Sequence, residues 1–214
     1  MEPNDHAPRH SRWRERERQR AREEILTAAS TLFAQFGFEK TSMRQIADEA
    51  ELSVGMLYNH FPGKKEIFRE LLERYIEELI TKSDQACRPD DPPLEQLRCR
   101  LKASIKHCTE HRNLVLIYLN ENSLKIEGVI REKLRNYRNI FADLITRAVE
   151  RGEITAEDPY VVTDILTGAL HKLLHTMAEN GRDEKFDAIP EILDRIILKP
   201  LELRRNDASR LEEY

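Results

Sequence analysis

The sequence predicts an all-α protein, and three observations carry that expectation. Apolar residues recur at three- and four-residue spacing along nearly the whole chain. Alternating Val, Ile and Thr runs closed by tight-turn dipeptides, which mark strands, are missing. Only 7 glycines interrupt 214 residues that are 40% hydrophobic and 35% charged, a composition suited to one or two domains with a real core.

Residues 1–12 are polar, carry Pro3 and Pro8 and show no periodicity, so a disordered arm is expected there. From Trp13 the chain turns arginine-rich, with Arg14, Arg16, Arg18, Arg20 and Arg22 interleaved with glutamates. At about 100° per residue these arginines spread around a helix instead of forming one stripe. Two readings stand: a solvated helix extension, or an arm reaching DNA phosphates or a minor groove.

Ile25, Ala28, Ala29, Leu32, Phe33 and Phe36 mark one face of a first helix that Gly37 can end as a left-handed cap. A second, short helix follows, opened by a capping box from Ser42 to Gln45, with Met43, Ile46, Ala47 and Ala50 as its apolar face. Glu51-Leu52 makes a tight connection to a third helix, capped by Ser53 and closing near His60 because Phe61 precedes Pro62. A long fourth helix after Gly63 carries Ile67, Phe68, Leu71, Leu72, Tyr75, Ile76, Leu79 and Ile80. The proline-rich run 88–93 breaks it.

Helical patterns then span 94–110, 114–124 and 129–151, the last stopped by Gly152. Asp158-Pro159 opens a helix bearing Val162, Ile165, Leu166, Ala169, Leu170, Leu173, Leu174 and Met177 and ending at Asn180-Gly181. Pro190 opens a last helix with Ile192, Leu193, Ile196, Ile197 and Leu201. Domain bounds are expected at 13–70, whose short helices suit a helix-turn-helix, and at 71–204, a larger helical unit, with a polar tail at 205–214.

The net charge of −4 announces no polyanion-binding protein, so a nucleic-acid surface has to be local. Cys87, Cys99 and Cys108 are odd in number and lack Cys-x-x-Cys spacing, and no apolar stretch suits a signal peptide or a membrane span. A cytoplasmic protein with reduced thiols and no membrane partner is expected. Neither a phosphate-binding glycine loop nor a Gly-x-Ser-x-Gly elbow is present, which weighs against an enzyme.

Two short helices joined by a few residues and packed on a longer first helix make a trihelical reading head. The stretch Thr41-Ser42-Met43-Arg44-Gln45-Ile46-Ala47-Asp48-Glu49-Ala50, then Leu52-Ser53-Val54-Gly55-Met56-Leu57-Tyr58-Asn59-His60-Phe61, then Gly63-Lys64-Lys65-Glu66-Ile67-Phe68, closely resembles the N-terminal domain of the TetR family. The match reaches back to Ile25-Leu26 and Gly37-Phe38, about the first third of the chain, and is silent on the effector.

That resemblance implies a transcriptional regulator, usually a repressor, that binds a palindromic double-stranded DNA operator as a homodimer and is released by a small molecule, with 71–204 as the effector-binding and dimerisation domain. It implies base readout by Ser53, Val54, Gly55 and Met56, and phosphate contacts from Tyr58, His60 and Lys64. Thr41 and Ser42 place hydroxyls and free amides at a helix start, a phosphate site, and Arg44 can reach a phosphate or a guanine edge. Bland alternatives remain: Gly55 at a tight packing site, Tyr58 as a half-buried core aromatic, His60 as an ordinary histidine, and Lys40 and Lys65 as solubility residues.

Val162, Ile165, Leu166, Ala169, Leu173, Ile192 and Ile196 are candidates for a four-helix dimer interface, with Gly168-Ala169 allowing close approach, or else for an internal core. Ligand contacts are expected among His107, His111, His171 and His175, with Tyr118, Arg138 and Phe141 beside them, and occupation of that pocket would move the fourth helix. His107 and His111, like His171 and His175, lie four apart on one helix face, a spacing that can ligate zinc, but no HExxH or CxxC context supports it. No metal or cofactor is therefore expected. Alternatives from other classes are a helical metal-binding protein or enzyme built on these four histidines, a helix-turn-helix adaptor that meets protein, and an architectural protein without an effector.

Overall fold

The computed structural model describes residues 9–120, 128–179 and 188–202. Among them the regular elements are helical: α1 (Arg9–Phe36), α2 (Met43–Glu49), α3 (Val54–His60), α4 (Lys64–Gln85), α5 (Pro93–Glu110), α6 (Arg112–Asn120), α7 (Val129–Glu150), α8 (Pro159–Glu179) and α9 (Ile189–Leu193). α9 runs on as a π-turn over Asp194–Leu198 and a 3₁₀ turn over Lys199–Leu201. The chain divides into two compact units, Met1–Leu72 and Glu73–Tyr214.

In the first unit, Ile25, Ala29, Phe33 and their neighbours bring α1 onto Ile46 and Ala47 of α2, Leu57 of α3, and Phe61, Ile67 and Phe68, all buried. The rings of Phe33, Phe38 and Phe68 close on one another with centroids 5.3–6.2 Å apart in tilted and edge-on contacts. Gly37 takes φ +82°, the left-handed cap expected of it.

The first unit corrects the expected disorder of residues 9–12, because α1 already begins at Arg9. No proline lies between Pro8 and Pro62, and interleaved basic and acidic residues support a solvated helix through i,i+4 pairs such as Gln19–Glu23 at 2.7 Å and Arg20–Glu24 at 2.9 Å. Ser11 through Arg20 are all exposed. Residues 1–8, and the tail beyond 202, lie outside the described residues.

In the second unit α7 packs on both α5 and α8, and α9 rests against α5 and α8. Leu97, Leu101, Ile105, Phe141, Leu144, Ile145, Leu166, Leu193 and Leu198 fill the core between them. Polar links fix the ends. The Leu94 amide at the start of α5 donates to Glu153 at 2.9 Å, and Arg98 donates to Asp194 at 2.7 Å, to Glu95 at 2.6 Å and to Glu202. The Thr155 amide meets the Leu201 carbonyl at 2.8 Å beside a bridge between Ile154 and Glu202.

The last segment differs from the single regular helix expected after Pro190. Pro200 has no amide to donate, so the α-ladder cannot continue through it, and the Lys199 amide instead reaches back five residues to Asp194. The widened turn buries Leu193 and Leu198 while leaving Ile196 exposed.

Candidate nucleic-acid interface

The caps expected of α2 and α3 are formed. Ser42 Oγ accepts the Gln45 amide at 3.3 Å while the Ser42 amide donates to Gln45 Oε1 at 2.9 Å, closing the capping box. Ser53 Oγ accepts the Met56 amide at 3.2 Å. The connection between the two helices turns through Glu51, whose φ is +55°.

So anchored, α3 gives only Leu57 to the core. Ser53, Val54, Gly55, Met56, Tyr58 and Asn59 are exposed, with Met56 47% and Tyr58 52% accessible, an unusual exposure for large apolar and aromatic side chains. A Cβ built on Gly55 would meet nothing within 4 Å. Gly55 therefore does not serve close packing inside its own chain, and Tyr58 is not a core aromatic. Ser42 and Arg44 are exposed at the front of α2.

Two residues expected to contact phosphate are engaged inside the protein. Thr41 is buried, and its hydroxyl lies 2.8 Å from the Gly37 carbonyl and 3.3 Å from that of Leu32. Lys64 Nζ donates to the carbonyls of Phe38, Glu39 and Thr41 at 2.8, 3.1 and 3.3 Å and lies 4.5 Å from the centre of the Phe38 ring. Those three carbonyls match the three N–H bonds of an ammonium. Both side chains hold the loop that delivers α2.

His60 is half-buried, and desolvation first, then Arg18 and Arg22, hold its imidazole below the usual range, which favours the neutral ring. Arg22, read from the sequence with Arg14 to Arg20 as part of a solvated extension or a DNA-reaching arm, is instead engaged within its own unit. It donates to Glu70 at 3.0 Å and to the His60 carbonyl at 3.3 Å, and its guanidinium lies 4.2 Å over the Phe61 ring. One signal was present: Arg22 lies three residues before Ile25 on the apolar stripe of α1, where a solvated arginine would not belong.

Residues 25–71 match the family described as bacterial regulatory proteins, tetR family, and residues 90–198 match the one described as tetracyclin repressor-like, C-terminal domain. The chain belongs to the TetR family. A TetR-family relative is the HTH-type transcriptional repressor KstR2 of Mycobacterium tuberculosis, 30% identical over 135 residues that cover 61% of this chain and 68% of KstR2. The solved structure of that ketosteroid transcriptional regulator shares the fold with a TM-score of 0.66 at 23% identity, over 86% of this chain and 95% of the other. FadR of Bacillus subtilis, solved in complex with stearoyl-CoA, does so with a TM-score of 0.66 at 20% identity, over 80% and 96%.

The molecule is thus a TetR-family transcriptional regulator with a DNA-binding helix-turn-helix and an all-helical second half; members of this family are not enzymes. No helix among the described residues is long and apolar enough to cross a membrane.

In the second half of this TetR-family chain, the expected ligand residues separate. His107 and Phe141 are buried, the latter against Tyr137 with ring centroids 5.2 Å apart. His111, Tyr118 and His175 are half-buried. His171 is exposed, and Arg138 donates to Asp164 at 2.7 Å in an exposed pair, so neither faces the interior. Instead, two buried polar pairs line the interior: Tyr75 Oη with Cys108 Sγ at 3.0 Å, and Ser104 Oγ with Tyr137 Oη at 2.5 Å.

The expected dimer residues divide as well. Ile165 and Ile196 are exposed, Val162, Ala169, Leu173 and Ile192 are half-buried, and Leu166 is fully buried in its own subunit. Tyr160 and Val161, not anticipated, are 56% and 53% accessible, and Gly168 has open space above it. The outward apolar line on α8 therefore runs Val161, Ile165, Gly168; of the residues expected on α8 it keeps Ile165 and Gly168, adds Val161, and leaves Leu166 inside.

Proposed function

We propose that this TetR-family regulator is a homodimeric repressor whose two copies of α3 enter successive major grooves of an inverted-repeat operator, and that a small molecule bound within its C-terminal helices releases it. The observation that supports this most is α3 itself, a capped helix with Leu57 alone buried, His60 half-buried, and Val54, Gly55, Met56, Tyr58 and Asn59 exposed to solvent. Val54 and Met56 suit thymine methyls, Gly55 allows the backbone close to the bases, and Ser42, Arg44, Ser53 and Tyr58 offer phosphate or base contacts. Thr41 and Lys64 act behind them as positioning residues. Residues 13–70 would be the reading head and 71–204 the sensing and pairing part.

The exposed α8 line, Val161, Ile165 and Gly168, with Tyr160 beside it and Ile196 on the last turn, is the surface best suited to a second copy. A water-exposed row of this kind is stabilised by burial, and a glycine lets two helices approach closely. A bacterial operator would place the protein in the cytoplasm.

For the effector, the core of the second unit is apolar at Leu101, Ile105, Phe141 and Leu144 and carries two buried polar pairs, at Tyr75 and Tyr137, and a ligand would enter by parting these packed side chains. An apolar molecule carrying a few polar groups suits that chemistry, in keeping with the ketosteroid regulator KstR2 and with FadR bound to stearoyl-CoA. Release requires that it bind one arrangement of the dimer better than the other.

Selection on random duplex DNA followed by footprinting tests the reading head. Two protected half-sites are expected, with Val54→Ala and Met56→Ala altering sequence preference and Tyr58→Phe weakening binding to every duplex alike. Unchanged binding in all three variants would remove α3 from the interface. A thermal-shift screen of acyl thioesters and steroids, repeated on the operator complex, tests the effector class.

A further inference from the structure

We propose that Glu78, His107 and His111 form a binding site for a divalent transition metal of the zinc class, occupied by the Lys82 ammonium until the metal displaces it. The two histidines lie one helical turn apart at the end of α5, and Glu78 faces them from α4; one ligand atom from each residue comes within 4.8 Å of the others. Metal–nitrogen and metal–oxygen bonds of about 2.0–2.2 Å set tetrahedral ligands roughly 3.4 Å apart, so the cluster needs a small contraction. Glu78 is exposed and His111 half-buried, which leaves both free to make it.

The orientation of His107 is the telling detail. Its Nε2 lies 3.1 Å from the Tyr75 carbonyl, and the ring stacks on Tyr75 with centroids 4.8 Å apart. A carbonyl only accepts, so Nε2 carries the proton and Nδ1 keeps its lone pair. Anchoring one ring nitrogen on a carbonyl while the other presents a lone pair is how metal-ligating histidines are held. That lone pair meets Lys82 Nζ at 3.2 Å.

Lys82 marks the place as one that already accommodates a cation. Besides His107 its ammonium faces Glu110 at 3.5 Å and Glu78 at 3.9 Å, and His111 Nε2 is 3.9 Å from the same Glu78 oxygen. Ion pairs this exposed contribute little to stability, so the lysine can withdraw into solvent at small cost. Two imidazoles and one carboxylate favour zinc, copper or nickel over magnesium or calcium, and Glu110 or water can complete the shell. Occupation would bind α4 to α5 through the metal. His171 and His175 are not part of this cluster.

The intact protein, stripped with chelator, is titrated with Zn²⁺ against a chromophoric competitor and with Co²⁺ to read the tetrahedral absorption bands. One ion per chain is expected. His111→Gln and Glu78→Gln should each weaken binding at least tenfold, Lys82→Met should tighten it, and Glu77→Gln, one residue away, should leave it unchanged. His107→Gln alters a buried side chain, so circular dichroism must verify its fold. His111→Gln decides independently: parental affinity in that variant, or no stoichiometric binding by the parent, overturns the site, and unchanged or weaker binding by Lys82→Met overturns the displacement. None of these readouts depends on DNA binding.

Discussion

Lys64 is expected from the sequence to contact phosphate, yet its ammonium turns onto the carbonyls of Phe38, Glu39 and Thr41. Lys64→Met should therefore cost about 1–3 kcal/mol of stability, seen in denaturant melts without DNA; a side chain serving only as a phosphate contact would leave those melts unchanged. Gly55 behaves oppositely. With open space around it, Gly55→Ala should stabilise the free protein by about 0.5–1 kcal/mol while altering its fit to DNA, measured by melting and by duplex binding. His107 adds a pH dependence. Desolvation by burial lowers its pKa from 6.5, so on acidification the unfolded chain takes up the proton first. This contribution to stability is intact above about pH 6.5 and is lost as pH falls through the folded value, and His60 acts in the same direction. Melting temperatures of metal-free protein should drop between pH 7 and pH 5, less steeply in His60→Gln than in the parent.

Caps and breakers made the short helices legible at the scale of elements. Ser42 with Gln45, Ser53, and Phe61 before Pro62 each act on the adjacent backbone, so a local reading suffices. α8 was harder because it is apolar on more than one side: Val161, Val162, Ile165, Leu166, Ala169 and Leu170 give a periodicity that does not say which half meets the core. The structure assigns Leu166 inward and Ile165 outward, two neighbours about 100° apart. They should respond differently. Leu166→Ala should destabilise each subunit by about 2–5 kcal/mol. Ile165→Glu should leave monomer stability within about 0.5 kcal/mol while shifting the sedimentation profile toward monomer; unaltered sedimentation would move the pairing surface elsewhere. The π-turn after Leu193 was hidden because Pro200, which interrupts the ladder, sits six residues beyond the start of the turn.

For the whole molecule, helical periodicity sufficed for the fold class and a local motif for the reading head, whereas contacts between distant segments were not legible. Glu78 meets His111 across 33 positions, and Arg98 reaches Glu202 across 104; helix packing creates such neighbours, and no local pattern announces them. The dimer reading belongs at this scale. Operator half-sites should be centred one duplex turn, about 34 Å, or a multiple of it apart, and Ile165→Glu should lose affinity for the full operator far more than for an isolated half-site in gel-shift titrations. Because the core takes only Leu57 from α3, the residues proposed to meet DNA are almost independent of those that maintain the fold. After gene duplication, a copy could drift to a different promoter by changing positions 54 to 58 around that leucine, with no compensating interior substitution, so new regulons are within short mutational reach.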